Sequence, residues 1–173
     1  YKDIESIQYY TELTDAGLME PDYMMKCLML RSRDNARTPM QWDGSEKAGF
    51  TDGEPWIKIN PNCKEINAAS QLDDPDSIFH YYQKLIALRK DPEYKETVVY
   101  GEMIPYLEEQ HNLMSYYRKG DKTLLVLGNF QKEPQTVKLP SACRKVLLNN
   151  YPELNISDDS VILDNYQAVV IEL

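Results

Sequence analysis

The pattern of apolar residues changes near Pro92, and this change restricts the chain to an architecture with two different parts. Beyond it, short β-like runs follow one another with turn residues between them and no intervening helical period. The runs are 97–100, 113–118, 123–129, 135–139, 145–148 and 168–173, with 160–163 as a weaker candidate. Residues 118–122, between two of these runs, predict a hairpin. Short strands at this spacing predict an antiparallel β-sandwich.

The residues before Pro92 predict helices separated by loops. Asp3 is a candidate N-cap for a first helix, which Gly17 would end, and Pro21 is a favourable first-turn residue for a second helix. The apolar face of that second helix would carry Met24, Met25, Leu28 and Met29.

A third helix is expected from Asp74, as its N-cap, to the Asp91-Pro92 stop. Its buried stripe would follow the i, i+4, i+7, i+8 spacing of Ile78, Tyr82, Leu85 and Ile86.

A polar segment lies between the second and third helices. Residues 32–43 (SRDNARTPMQWD) follow neither the helix nor the strand period and contain two arginines, Arg33 and Arg37. Guanidinium groups are planar, permanently charged donors that suit a hydroxyl-rich ligand. Prolines and glycines continue the irregular pattern to residue 75, and we expect this long loop to be ordered and functional. Trp42 and Trp56 are expected to form its local core, with stacking on sugar rings as the alternative.

The composition argues against several classes of partner. The formal net charge is −9 and the sequence pI is about 4.7, which opposes binding to nucleic acid. No apolar run approaches the roughly 20 residues of a membrane helix. Three cysteines without a CxxC pair predict reduced thiols in a cytoplasmic protein, with no zinc site. The start at Tyr1 favours a piece of a longer protein.

Several motifs in a fixed order resemble one branch of a known family. They are residues 33–43 (RDNARTPMQWD), 48–51 (AGFT), 55–57 (PWI), 64–67 (KEIN), 74–79 (DPDSIF), 82–89 (YQKLIALR) and 98–101 (VVYG). Together they resemble the oligo-1,6-glucosidase branch of the α-amylase superfamily. The resemblance implies an α+β fragment: residues 1–91 would be the helical end of a TIM (β/α)8 barrel, and residues 92–173 the antiparallel β-sandwich domain. Active sites of such barrels lie among the loops at the carboxyl ends of the strands.

The resemblance also implies a chemistry and assigns roles to two residues. Retaining glycosidases of this kind use two carboxyl groups roughly 5–5.5 Å apart, and the family's catalytic residues lie upstream of the motifs present here. We therefore expect no catalytic residue, no metal and no cofactor in this chain, which should be inactive alone. Arg37 matches an arginine that contacts the non-reducing-end glucose and pairs with an upstream aspartate. Arg33 is a second candidate for substrate contact.

The full-length protein is thus expected to hydrolyse α-1,6-glucosidic bonds at the non-reducing end of short oligosaccharides. A trehalose-6-phosphate hydrolase and a non-catalytic carbohydrate-binding or interaction module remain as alternatives. Besides an oligosaccharide substrate, no nucleic-acid or membrane partner is expected. Barrel faces left uncovered in residues 1–91 predict self-association of the fragment.

Overall fold

The computed structural model describes all 173 residues and divides into two compact units, Tyr1–Asp73 and Asp74–Leu173. The helices are α1 (Ile4–Asp15), α2 (Pro21–Arg31), α3 (Ala68–Gln71) and α4 (Ile78–Lys90). The strands are β1 (Glu102–Pro105), β2 (Leu113–Lys119), β3 (Thr123–Asn129), β4 (Gln135–Lys138), β5 (Lys145–Asn149), β6 (Asn155–Ile156), β7 (Ser160–Leu163) and β8 (Ala168–Glu172). None of the helices is both long enough and apolar enough to cross a membrane.

Helix α1 begins and ends, and helix α2 begins, where the sequence indicates. The Asp3 carboxylate accepts a hydrogen bond from the Ser6 N–H at the start of α1, and Gly17, with φ of 65°, follows the helix end. Pro21 opens α2. The expected apolar face of α2 is only partly buried, because Met24 and Leu28 are buried whereas Met25 and Met29 are exposed.

The long loop is ordered by hydrogen bonds rather than by an aromatic core. It contains 3₁₀ turns at Arg33–Ala36 and Pro61–Lys64. The Trp42 N–H donates to the Ala48 carbonyl at 2.8 Å, and Ala48 is fully buried. Trp42 and Trp56 are 54% and 53% exposed, so the expectation that they form a local core is wrong. Polar residues dominate the segment and leave few apolar neighbours to cover an indole.

The second unit contains the expected antiparallel sandwich. One sheet has the strand order β1-β2-β3-β8-β5 and the other β4-β7-β6. The hairpin at 118–122 joins β2 to β3, with Lys119 opposite Thr123. The hydrophobic core of the sandwich consists of Leu125, Leu127, Val137, Leu139, Val161, Leu163, Val169 and Ile171.

Helix α4 differs from its expected form in two respects. It begins after Ser77, whose side chain accepts the His80 N–H, while Asp74 instead accepts the Asp76 N–H in a preceding turn. Its proposed stripe is largely exposed; Ile78 and Tyr82, for example, are 69% and 61% accessible. The helical period identifies an apolar face but carries no information on what covers it.

The run 97–100 is a π-helical turn, Glu96–Tyr100, and not a strand. Thr97 is buried and its hydroxyl accepts the Lys122 N–H, while the Arg118 guanidinium donates to the carbonyls of Val98 and Val99. These side-chain bonds satisfy backbone groups that would otherwise pair in a sheet. Strands β1 and β6 were not predicted. β1 ends at a proline at the sheet edge, where a missing N–H is tolerated.

Candidate functional site

The two arginines singled out from the sequence meet at one carboxylate. Arg33 Nη2 lies 2.8 Å from Asp3 Oδ1, and Arg37 Nη1 lies 3.7 Å from the same oxygen. Arg33 Nη2 also lies 3.1 Å from Glu5 Oε2. Asp3 at the start of α1 therefore faces both guanidinium groups of the polar loop.

The local fold of the loop accounts for this convergence. The Ser32 hydroxyl accepts the Asp34 N–H and caps the 3₁₀ turn that carries Arg33. Arg37 directly follows this tight turn, and the turn places the guanidinium groups of Arg33 and Arg37 near the same oxygen, Asp3 Oδ1. A second bond fixes the turn against α1, since the hydroxyls of Ser32 and Ser6 are 2.8 Å apart.

Asp34 attaches the loop to the backbone at the start of α1. Its Oδ2 accepts hydrogen bonds from the N–H groups of Lys2, at 2.6 Å, and Asp3, at 3.0 Å. The Lys2 N–H bond lowers the pKa of Asp34, although burial acts in the opposite direction. The Asp34 side chain is therefore ionised at neutral pH and acts as an acceptor for backbone donors.

Asp3 is the buried centre of the cluster. Burial alone would raise the pKa of Asp3, but hydrogen bonds from Ser6 and Arg33 outweigh this effect and the pKa is lowered. The Asp3 side chain is 4% exposed, while those of Arg33 and Arg37 are 55% and 44% exposed. Each guanidinium has five N–H donors, so donors beyond those used by Asp3 face solvent. This arrangement can bind hydroxyl or anionic oxygen atoms.

Two cavities lie near the cluster within the first unit. One of about 650 Å³ is lined by Asp34, Asn35 and Trp56 among others, and neither Arg33 nor Arg37 is part of its wall. A smaller cavity of about 360 Å³ includes Asp3 and Arg33. The polar residues of the loop are thus distributed around two cavities rather than lining a single pocket.

Asp3 is the residue of this cluster that sequence reasoning missed. Its position before an apolar helical repeat indicated only an N-cap, and the cap and the ion pairs use different oxygens of one carboxylate. No local pattern connects residues 30 or more positions apart. No group of three or more His, Cys, Asp or Glu side chains in the chain is arranged to hold a metal ion.

Two family models match the chain. Residues 6–101 match the model described as "Alpha amylase, catalytic domain". Residues 113–170 match the model described as "Alpha-amylase SusG C-terminal domain".

Curated relatives of the chain include oligo-1,6-glucosidases. The chain is 43% identical to an oligo-1,6-glucosidase of Parageobacillus thermoglucosidasius over 87% of its own length and 27% of the relative's. It is 41% identical to an oligo-1,6-glucosidase of Bacillus cereus over 100% of its own length and 31% of the relative's. The chain therefore spans less than a third of the length of these relatives.

Solved structures agree with the sequence matches. An isomaltulose synthase from Klebsiella sp. LX3 superimposes with a TM-score of 0.91 at 32% identity, covering 99% of this chain and 31% of that chain. The trehalose-6-phosphate hydrolase of Bacillus licheniformis gives a TM-score of 0.87 at 40% identity, covering 99% and 32%. The fold is therefore the expected one, a helical barrel part with a β-sandwich after it. On the family match over residues 6–101, this chain belongs to the α-amylase family.

Proposed function

We propose that this chain is the C-terminal part of a retaining α-glucosidase that cleaves α-1,6-glucosidic bonds at the non-reducing end of short oligosaccharides. The names of the relatives support this choice, among them a glucan 1,6-alpha-glucosidase of Streptococcus pneumoniae that is 35% identical. The catalytic barrel would end near residue 91, and residues 92–173 would form the sandwich domain.

The convergence of Arg33 and Arg37 on Asp3 is the observation that carries the proposal. A half-exposed guanidinium held at one edge by a buried carboxylate keeps its other donors directed outward. Arg37 would use them on the hydroxyls of the non-reducing-end glucose, and Arg33 would make a second contact. The reacting carboxyl groups would come from segments of the full-length enzyme outside these residues.

An Arg37→Ala substitution in the full-length enzyme tests the assignment. Loss of a charged hydrogen-bonding group should lower kcat/KM on isomaltose at least roughly 30-fold, which corresponds to a loss of about 2 kcal/mol of transition-state stabilisation. Arg144→Ala is the matched control, because Arg144 is exposed and lies in the second unit, directly before β5. Wild-type kinetics for Arg37→Ala would refute the role of Arg37.

The isolated 173-residue chain provides a second test. If its catalytic carboxylates lie elsewhere, it should release no glucose from isomaltose or panose. The measurement is glucose release against a buffer blank, with the full-length enzyme as the positive control. Turnover by the chain alone would contradict the proposal that the reacting groups are upstream.

Trehalose-6-phosphate hydrolysis is the second candidate. It is favoured by the 40% identity to the Bacillus licheniformis hydrolase and by a 36% identical trehalose-6-phosphate hydrolase of Bacillus subtilis. Comparing kcat/KM of the full-length enzyme on isomaltose and on trehalose-6-phosphate distinguishes the two. A higher value on the phosphorylated sugar would replace the 1,6-glucosidase proposal. In either case we propose a cytoplasmic enzyme, since Cys27, Cys63 and Cys143 are all free.

A further inference from the structure

We infer that Asp3 is a positioning residue that fixes the orientation of Arg33 and Arg37 for the substrate. The inference rests on the proposed function, in which these arginines contact sugar. Asp3 itself touches no substrate in this scheme; it acts through the two guanidinium groups.

The two oxygens of the Asp3 carboxylate have separate partners. Oδ2 accepts hydrogen bonds from the backbone N–H of Ser6, at 3.1 Å, and from the Ser6 hydroxyl, at 3.0 Å. Oδ1 faces the guanidinium groups of Arg33 and Arg37. Helix α1 therefore holds one side of the carboxylate in place while the other side binds the arginines.

The backbone of Asp3 is fixed from the loop that carries the arginines. Asp34 lies in the same 3₁₀ turn as Arg33, and its carboxylate accepts the Asp3 N–H. Together with the contact between the Ser6 and Ser32 hydroxyls, this closes a ring of hydrogen bonds and ion pairs between α1 and the loop. The position of Asp3 and the positions of the arginines are thus set by the same contacts.

This ring has a consequence for ligand binding. A free arginine side chain has several rotatable bonds and loses their entropy when a ligand immobilises it. A buried carboxylate that already holds Arg33 at 2.8 Å, and attracts Arg37 through the ion pair at 3.7 Å, removes part of that cost before the sugar arrives. The remaining donors then point in fixed directions, which favours a rigid ring with several hydroxyl groups over a flexible ligand.

Asp3→Asn in the full-length enzyme separates positioning from helix capping. Asparagine caps a helix about as well as aspartate, and its side-chain oxygen can still accept from Ser6. The substitution removes the negative charge that faces Arg33 and Arg37. We expect KM for isomaltose to rise about ten-fold with a smaller change in kcat. The melting temperature should fall as well, because the folded state stabilises the charge of Asp3.

Glu12→Gln is the control for charge removal on the same helix. Glu12 is exposed and accepts a hydrogen bond from Gln8, away from the arginines. It should leave KM and kcat unchanged. A role of Asp3 limited to stability would instead lower the active fraction, which reduces the apparent kcat at constant KM, and that result would overturn the inference.

Arg37→Ala and the double variant Asp3→Asn/Arg37→Ala test the role of Asp3 separately from the role of Arg37. If Asp3 acts through Arg37, the double variant should lose little more than Arg37→Ala alone. Fully additive losses, or normal KM for Asp3→Asn beside an impaired Arg37→Ala, would overturn the role of Asp3 and leave the proposed function standing. Normal kinetics for Arg37→Ala would instead contradict both the proposed sugar contact of Arg37 and the positioning role of Asp3.

Discussion

Replacing Tyr94 with phenylalanine should destabilise the second unit through the loss of one hydroxyl group. Tyr94 is 2% exposed, and its hydroxyl donates to Glu172 Oε2 at 2.9 Å and accepts from Lys145 Nζ at 3.3 Å. Lys122 Nζ lies 3.2 Å from Glu172 Oε1 and 4.9 Å from the centre of the Tyr94 ring. This arrangement, which we call the Tyr94 network, attaches the segment after α4 to strands β5 and β8 and to the turn before β3.

The loss of stability in Tyr94→Phe depends on which contacts of Glu172 and of the aromatic ring remain after the hydroxyl is removed. A hydrogen bond to a charged group contributes about 1.5–3 kcal/mol. Glu172 keeps its ion pair with Lys122, and the phenylalanine ring keeps the cation–π contacts, so the loss should fall in the lower half of that range. For a domain of about 100 residues, a loss of about 1.5–2 kcal/mol corresponds to a melting temperature lower by about 6–12 °C.

Thermal unfolding followed by circular dichroism measures this shift. Tyr100→Phe is the matched control, because Tyr100 is 72% exposed and its hydroxyl should remain hydrated in both the folded and unfolded states. It should leave the melting temperature unchanged. A shift of less than about 2 °C for Tyr94→Phe would show that the hydroxyl adds nothing beyond what water supplies in the unfolded chain.

Three further predictions concern the core, the loop and pH. Leu127→Ala, at a fully buried core position, should cost about 3 kcal/mol in urea unfolding. Gly49→Ala should cost about 1–2 kcal/mol, because φ is 63° and a Cβ would lie 2.6 Å from Asp43 Oδ2. Gly53→Ala should be nearly neutral, because φ is not positive and a Cβ would lie at an ordinary 3.7 Å from the Thr51 hydroxyl. The Tyr94 hydrogen bond lowers the pKa of Glu172, so its stabilising contribution is present above the usual glutamate pKa, about 4.3, and should be lost as pH falls through the lower folded-state value. Acid titration should therefore show a weaker pH dependence in Tyr94→Phe.

Features with a local cause could be predicted from the sequence. Strands β2 and β3 follow from two short β-like runs on either side of a turn at Gly120, and the start of α1 follows from a capping residue before a helical repeat. Each of these patterns is complete within about ten residues. The sandwich was therefore recognisable before any contact between its sheets was known.

Features that depend on distant partners could not be predicted in the same way. The run at 97–100 has the residues of a strand, but Thr97 and Arg118 bind its backbone and stabilise a π-helical turn. The exposed face of α4 shows the same limit, since periodicity does not identify a covering partner. Asp3 is separated from Arg33 by 30 positions, and only the folded loop brings them together.

The strand order of the larger sheet has a consequence for synthesis and proteolysis. Strand β8 lies between β3 and β5, and β5 pairs with no other strand. Two side chains of β8, Val169 and Ile171, belong to the hydrophobic core of the sandwich. During synthesis, β3 and β5 would leave the ribosomal exit tunnel well before β8, which pairs with both of them. Until β8 emerges, the edges of β3 and β5 that pair with it would remain unpaired. For the same reason, a protease that removes β8 would separate β5 from β1, β2 and β3 rather than trim an edge strand.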